Sequence, residues 1–307
     1  MIASSLRARL VAQLIRVLIR RRDWGPPEAL ARRARRWLGA SPPLQWLSSF
    51  GITVTPTESD HPPGEWIVPR APTSRTILYL HGGGYVACSP STHRPVTATL
   101  ARLTPARVFA PVYRLAPEFP YPAALDDAEA AYQWLLNSGV SHRDIALAGD
   151  SAGGGLALAL LLRARDRGLP LPACAVLFSP WTDLTVSGAS ARDNDGKCAL
   201  CRPESLSQFA RCYARPDEWH DAGASPLFGR LDGLPPLHIQ VGDTELLLDD
   251  AKRVHDKVQS CGGESELLVY AGVFHGWQIL DGVVPEARTS LQQAADFIAT
   301  QVDRPAT

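Results

Sequence analysis

From about residue 52 onward the chain alternates short β-rich runs with helical stretches, and this texture limits the fold more than any other feature. The runs are "ITVTP", "EWIVPR", "TILYL", "RVFAPVY", "DIALAG", "CAVLFS", "LHIQV" and "ELLVYA". Helical candidates fall between them at about 92–104, 122–137, 152–166, 247–260 and 285–301. Strands separated by helices predict a mainly parallel sheet with helices on both faces, the first two strands serving as an antiparallel lead-in. With 307 residues, 45% of them hydrophobic, the chain can bury a large core as one domain or a domain with an appendage. In such a sheet, chemistry belongs to the loops at the carboxyl ends of the strands.

The loop after "DIALAG" reads Gly149, Asp150, Ser151, Ala152, Gly153 and opens a helix. A strand turning sharply into a helix holds its apex residue in a strained backbone, and small residues two positions either side keep neighbouring chain from colliding. Ser151 is that apex and a candidate nucleophile, the plainer alternative being a helix cap. The loop after "TILYL" reads His81, Gly82, Gly83, Gly84. Three consecutive glycines are entropically costly unless close approach or unusual dihedrals require them, and amides exposed beside a nucleophile supply that requirement. The amides of this loop, with that of Ala152, are candidate oxyanion donors. A phosphate-cradling loop is the alternative, and the absence of a Lys-Ser or Lys-Thr opening the following helix counts against it. After "ELLVYA" comes "GVFHGWQIL", where His275 is placed to act as a base toward Ser151.

Between serine and histidine lies "VGDTELLLDD", with Asp243, Glu245, Asp249 and Asp250. Asp249 and Asp250 fall in the first turn of the next helix, where carboxylates favour the positive end of the dipole. Asp243 and Glu245 remain as candidates for the acid behind the histidine. The chain order serine, acid, histidine is that of an α/β hydrolase.

The motif set resembles the hormone-sensitive-lipase-like (bacterial family IV) carboxylesterases. It comprises "HGGGY" at 81–85, "YRLAPE" at 113–118, "PAALDD" at 122–127, "GDSAGG" at 149–154, "SPWTDL" at 179–184 and "FHGW" at 274–277, spread over about two thirds of the chain. The resemblance implies an α/β-hydrolase fold with a mainly parallel eight-stranded sheet, helices on both faces and a helical cap. It implies Ser151 as nucleophile, His275 as general base, and the amides of Gly83, Gly84 and Ala152 as the oxyanion hole. In the family the acid sits three residues after a glycine and two before a leucine; Glu245 matches through Gly242 and Leu247, although aspartate is commoner there, and Asp243 is the second candidate. The implied activity is hydrolysis of short- to medium-chain acyl esters through an acyl-enzyme, without metal or organic cofactor. Lactone or amide hydrolysis is the alternative, the sequence being similar also to monoterpene lactone hydrolases of the family. A non-catalytic ligand receptor is expected only where the triad is broken.

The N-terminal residues 1–40 hold ten arginines against Asp23 and Glu28. "LRARLVAQLIRVLIRRR" places Leu6, Leu10, Leu14, Val17 and Leu18 at helical spacing, an amphipathic helix expected to lay that stripe on the body, with docking on a membrane surface as the other reading. Arg16 interrupts the apolar run and Arg20, Arg21 and Arg22 follow it, so neither a span nor a secretory signal is expected. A second helix is entered through Pro26 and Pro27 and ended by Gly39 and the prolines beyond. Residues 1–48 are expected to form the cap segment and 49–307 the catalytic domain, with 185–222 adding to the cap.

Zero formal net charge gives no electrostatic footprint for nucleic acid. The expected partner is a small ester, with no nucleic acid and no stable membrane insertion; a homodimer is left open, and the expected location is cytoplasmic. Six cysteines, thinly spread, read as mostly free thiols. Cys198, Cys201 and Cys212, with His220 as a fourth ligand, form an incomplete zinc pattern, and no metal site is assigned to them.

Overall fold

A computed structural model describes residues 4–20, 24–39 and 50–304. All eight expected strands form: β1 (Ile52–Pro56), β2 (Gly64–Pro69), β3 (Thr76–Leu80), β4 (Arg107–Pro111), β5 (Ile145–Asp150), β6 (Cys174–Phe178), β7 (Leu237–Gly242) and β8 (Ser265–Tyr270). They make one sheet in the order β1-β2-β4-β3-β5-β6-β7-β8. β1 and β2 are the antiparallel lead-in, and every pairing from β4 to β8 is parallel.

Period-two alternation of side chains splits the core into two layers. Leu78, Leu80, Ile145, Leu147, Ala175 and Leu177 enter one layer, while Ile77, Tyr79, Ala146, Ala148, Val176 and Phe178 enter the other. The first layer is closed by α4 (Ala123–Asn137), α5 (Ala152–Asp166) and α8 (Leu248–Ser260); the second by α3 (Arg94–Leu103) and α9 (Pro285–Val302). Because both faces are covered, the central strands read as continuous apolar runs.

The order reverses at β3. The chain leaves β3 toward β4 on one side and then returns to β5 on the other, so the helices after β3 and β5 depart to opposite faces. A crevice opens between the two strand ends, the usual binding place in open α/β sheets. Leu80 pairs with Gly149, which sets the His81–Gly84 loop directly beside Ser151.

The N-terminal helices are α1 (Leu6–Ile15), continued by a π-helical turn over Arg16–Arg20, and α2 (Pro27–Trp37). Pro42, Pro43, Arg21 and Arg22, invoked as flanking signals, lie outside the described residues, as does the remainder of the expected cap segment from 40 to 48. The expected packing of α1 is overturned. Leu6, Leu10, Leu14, Val17 and Leu18 face solvent, and the helix sits on the body through Ala8, Val11, Ala12 and Ile15 against Phe274, Trp277 and Val284. Both sides of α1 are apolar, and the inner one, with Ala8 fully buried, faces the C-terminal helix α9 as well. Arg16 donates to the Lys197 carbonyl at 2.6 Å and Arg20 pairs with Asp195, which fixes the rotation of the helix.

α6 (Ala189–Asp193) and α7 (Pro203–Tyr213) occupy the stretch after β6. Trp24 meets Phe209 of α7 edge to face at 5.9 Å. Arg35 of α2 donates to the carbonyls of Val86 and Ala116 at 2.9 and 3.0 Å, tying that helix to the loop beyond the glycine run.

Candidate active site

Ser151 has φ 53° and ψ −122°, a conformation that side-chain-bearing residues rarely adopt. The strain is held from both sides: its N–H donates to the Phe178 carbonyl at 2.8 Å and its carbonyl accepts from Trp181 at 2.9 Å. Such a turn requires the backbone of α5 to press against β3. A Cβ on Gly153 would lie 2.1 Å from the Leu80 carbonyl oxygen, so only glycine fits there.

The Ser151 hydroxyl lies 2.8 Å from His275 Nε2, and His275 Nδ1 lies 2.5 Å from Glu245 Oε2. Glu245 is fully buried, and its Oε1 accepts from Ser179 Oγ at 2.8 Å and from the Gly242 amide at 2.6 Å. A carboxylate only accepts, so Nδ1 carries the proton and Nε2 is left as the acceptor for the serine. Burial alone would lower the His275 pKa, but the charge and hydrogen bond of Glu245 outweigh it, and the value is raised.

Asp243 does something else. Its Oδ1 accepts the Gly272 amide at 2.7 Å, pinning the turn that leads from β8 toward His275. Asn194 Nδ2 donates to the carbonyls of both Asp243 and Glu245 at 2.9 Å, bracing the acid loop from α6's C-terminal end. Asp249 and Asp250 do lie in the first turn of α8, and each also holds a distant segment, the start of α6 and the loop after β6 respectively. Asp249 accepts the Ser190 amide at 2.8 Å, and Asp250 accepts those of Thr182 and Asp183 at 2.7 and 2.9 Å.

Gly83 and Gly84 have φ 121° and 63° and line the same cavity as Ser151 and His275. No acceptor among the described residues takes the amides of Gly83, Gly84 or Ala152. The neighbouring Gly82 amide is bound instead by Asp150 Oδ1 at 2.9 Å, which also accepts from Tyr79 at 2.8 Å. Asp150 Oδ2 meets His93 Nε2 at 3.1 Å. Burial alone would raise the Asp150 carboxyl, but His93 and the Tyr79 hydroxyl hold it below its ordinary range. His81 is pushed the other way, down to about 3, first by burial and then by His93, and its ring stacks on Tyr113 at 4.3 Å. It is a neutral structural histidine. The sequence reading missed Ser179, Asn194, His93 and the role of Asp150. Their only trace was membership of quoted motifs for Ser179 and Asp150, and none for the other two.

The cavity over Ser151 has a volume of 340 Å³. Its walls are mostly apolar, and the N-terminal segment and α7 contribute Ile15, Ile19, Trp24, Leu206 and Phe209 among others. Cys198, Cys201, Cys212 and His220 are not brought together as a metal-spaced group: among the described residues that group is Glu58 and Asp60, both exposed, with the half-buried His61, and His220 packs on Phe228. All six cysteines are free thiols. No helix among the described residues is long and apolar enough to cross a membrane.

A sheet of this order, with these three side chains on loops after β5, β7 and β8, defines an α/β hydrolase, and a family model described as alpha/beta hydrolase fold matches residues 77–279. The chain is 42% identical over 240 residues to an acetyl-hydrolase of Streptomyces hygroscopicus, covering 78% of this chain and 80% of that one. It is 39% identical over 241 residues to an esterase of Acinetobacter venetianus, covering 78% and 79%. Among solved structures, the esterase EstE5 soaked with p-nitrophenyl butyrate superposes with a TM-score of 0.89 at 32% identity, over 98% of this chain and 100% of that one. An esterase of the bacterial hormone-sensitive lipase family superposes with a TM-score of 0.87 at 35% identity, over 98% and 100%. The chain belongs to the hormone-sensitive-lipase-like family of α/β hydrolases.

Proposed function

We propose that this carboxylesterase works through Ser151, His275 and Glu245, and that its substrates carry short to medium acyl chains. The observation that carries the reading is the hydrogen-bonded run from Ser151 Oγ through His275 to the buried Glu245 carboxylate, opening into an apolar cavity. Ser151 attacks the ester carbonyl as His275 Nε2 takes its proton. Charge then develops on the carbonyl oxygen, where the uncommitted amides of Gly83, Gly84 and Ala152 are available to donate. The imidazolium returns the proton to the leaving alcohol, and water repeats the sequence on the acyl-enzyme. Glu245 fixes the imidazole tautomer and stabilises the imidazolium without taking a proton itself.

The acyl chain lies in the cavity beneath α1, α2 and α7. Its 340 Å³ is at the low end of the ~300–1,000 Å³ typical of ligand pockets, which favours the shorter chains. In this reading residues 1–48 with part of 185–222 form the cap, and the edge-to-face contact of Trp24 with Phe209 joins its two portions. Initial rates on p-nitrophenyl esters of increasing acyl length test both parts. A rate that falls sharply at long chains is expected; a rate that climbs with chain length without limit overturns the pocket assignment. Ser151→Ala should abolish turnover throughout the panel.

A further inference from the structure

α1 and the turn that continues it carry an apolar stripe that stays largely exposed among the described residues. Leu6, Leu10, Leu14 and Val17 are 72%, 62%, 57% and 55% exposed, spaced so that they share one face. The opposite face, with Ala8, Val11, Ala12 and Ile15, already holds the helix to the body. Among the described residues the outer stripe is therefore left mostly to solvent, and a contiguous apolar row in water costs solubility.

The charges on α1 itself have one sign. Arg7 and Arg9 are exposed on the same helix, and Arg32 and Arg36 are exposed on α2. None of the four carries an ion pair among the described residues, whereas Arg16, Arg20 and Arg35 are all turned to partners on the body. An apolar face bordered by arginines is the pattern of a helix that lies in the headgroup layer of an anionic membrane. A second copy of the chain fits less well, since a two-fold pairing of α1 with itself would bring arginine-bordered faces against each other.

We infer that the outer face of α1 is a peripheral docking surface for an anionic lipid bilayer. The helix would lie in the interface with its leucines among the acyl chains and Arg7 and Arg9 at the phosphates. Resting on the ester-hydrolase reading, this gives the cap a second task. Ile15 and the adjoining Ile19 line the acyl cavity, so one short helical segment separates the bilayer from Ser151 and its inner side receives an ester drawn from that surface.

The test is sedimentation of the full chain with vesicles of phosphatidylcholine containing about a third phosphatidylglycerol, beside vesicles of phosphatidylcholine alone. The wild type should pellet with the anionic vesicles, and raising salt several-fold should weaken the binding without abolishing it. Replacing Leu10→Glu and Leu14→Glu together should lower the partition coefficient by roughly tenfold or more while leaving kcat/KM on soluble p-nitrophenyl acetate unchanged, since neither side chain lines the cavity. Arg7→Glu with Arg9→Glu, which alters no packed side chain, should remove the preference for anionic vesicles. The inference is overturned if the wild type stays in the supernatant, if both variants pellet as it does, or if the leucine substitutions merely split a dimer seen by light scattering in the absence of lipid binding. Pelleting without hydrolysis of any soluble ester would uphold the docking surface and overturn the esterase site, and the converse result would do the reverse.

Discussion

Glu245→Gln is the substitution that most directly examines the site, because the structure dictates how the amide must sit. Glu245 Oε1 accepts from the Gly242 amide and from Ser179 Oγ, so one oxygen of any replacement is claimed by two donors. Turning the glutamine NH2 toward them would set N–H against the Gly242 N–H inside a fully buried site. The amide oxygen therefore stays there, and the NH2 faces His275 Nδ1. It can only donate to that nitrogen, which then must be the unprotonated one. The proton moves to Nε2, and Nε2 no longer accepts from Ser151. The imidazolium formed on attack also loses its counter-charge. In a serine protease triad the equivalent amide drops kcat by about 10⁴, and a fall of roughly 10³ to 10⁴ is expected here, about 4 to 5 kcal/mol of transition-state stabilisation. Steady-state kinetics on p-nitrophenyl butyrate read it, with KM expected to change little because Glu245 does not line the cavity. Asp243→Asn is the control: an amide oxygen can still accept the Gly272 N–H, so most activity should remain. Loss of activity in the Asp243 variant with retention in the Glu245 variant would refute the reasoning and make Asp243 the acid.

Ser151→Ala should leave the circular dichroism spectrum and melting temperature near wild type while removing ester hydrolysis; a residual rate above about a tenth would sink the nucleophile assignment. In a profile of kcat/KM against pH, activity needs neutral His275, and Glu245 favours the charged form. The acid limb should therefore lie above the ordinary histidine value of about 6.5, activity being lost as pH falls through it. A flat profile between about pH 5 and 8 would remove histidine from the base role. Deleting residues 1–40 strips Ile15, Ile19, Trp24, Trp37 and Leu38 from the cavity wall. The truncated chain should lose rate on longer acyl esters and aggregate more readily, as static light scattering would show, and full turnover of every chain length would mean those helices do not shape the pocket.

The strand pattern, the sharp turn at Ser151 and the glycine loop were legible in the residues because each is dictated locally. Runs such as "TILYL" and "CAVLFS" are too short and too β-branched or aromatic for buried helices, and helical periods flank them. Gly153 is required by contact with Leu80 at the end of β3, and Gly149 lies two positions before Ser151, so the G-x-S-x-G spacing carries its own geometry. His275 was legible from its position after the last strand. The network behind it was not. Ser179 reaches Glu245 across 66 positions, Asn194 braces the acid loop from a helix end, and His93 meets Asp150 across 57. No local pattern encodes partners that far apart.

Two questions were left for the tertiary structure, and for the same physical reason. A sequence specifies which side chains share a face or a loop, through the periods of 3.6 and 2 residues, but it does not say which neighbour that face will meet. Asp243 and Glu245 both follow β7. The turn closed by the Glu245 N–H on the Gly242 carbonyl brings the glutamate back over the strand end to meet His275, and leaves Asp243 facing β8's exit. The leucine row of α1 was equally visible, and so was its amphipathic period. Which of two apolar faces turns inward is decided by the partners each face meets. The side with Ala8, Val11, Ala12 and Ile15 joins the cluster of Phe274 and Trp277, and Arg16 and Arg20 lock that rotation, so the leucines are left outside.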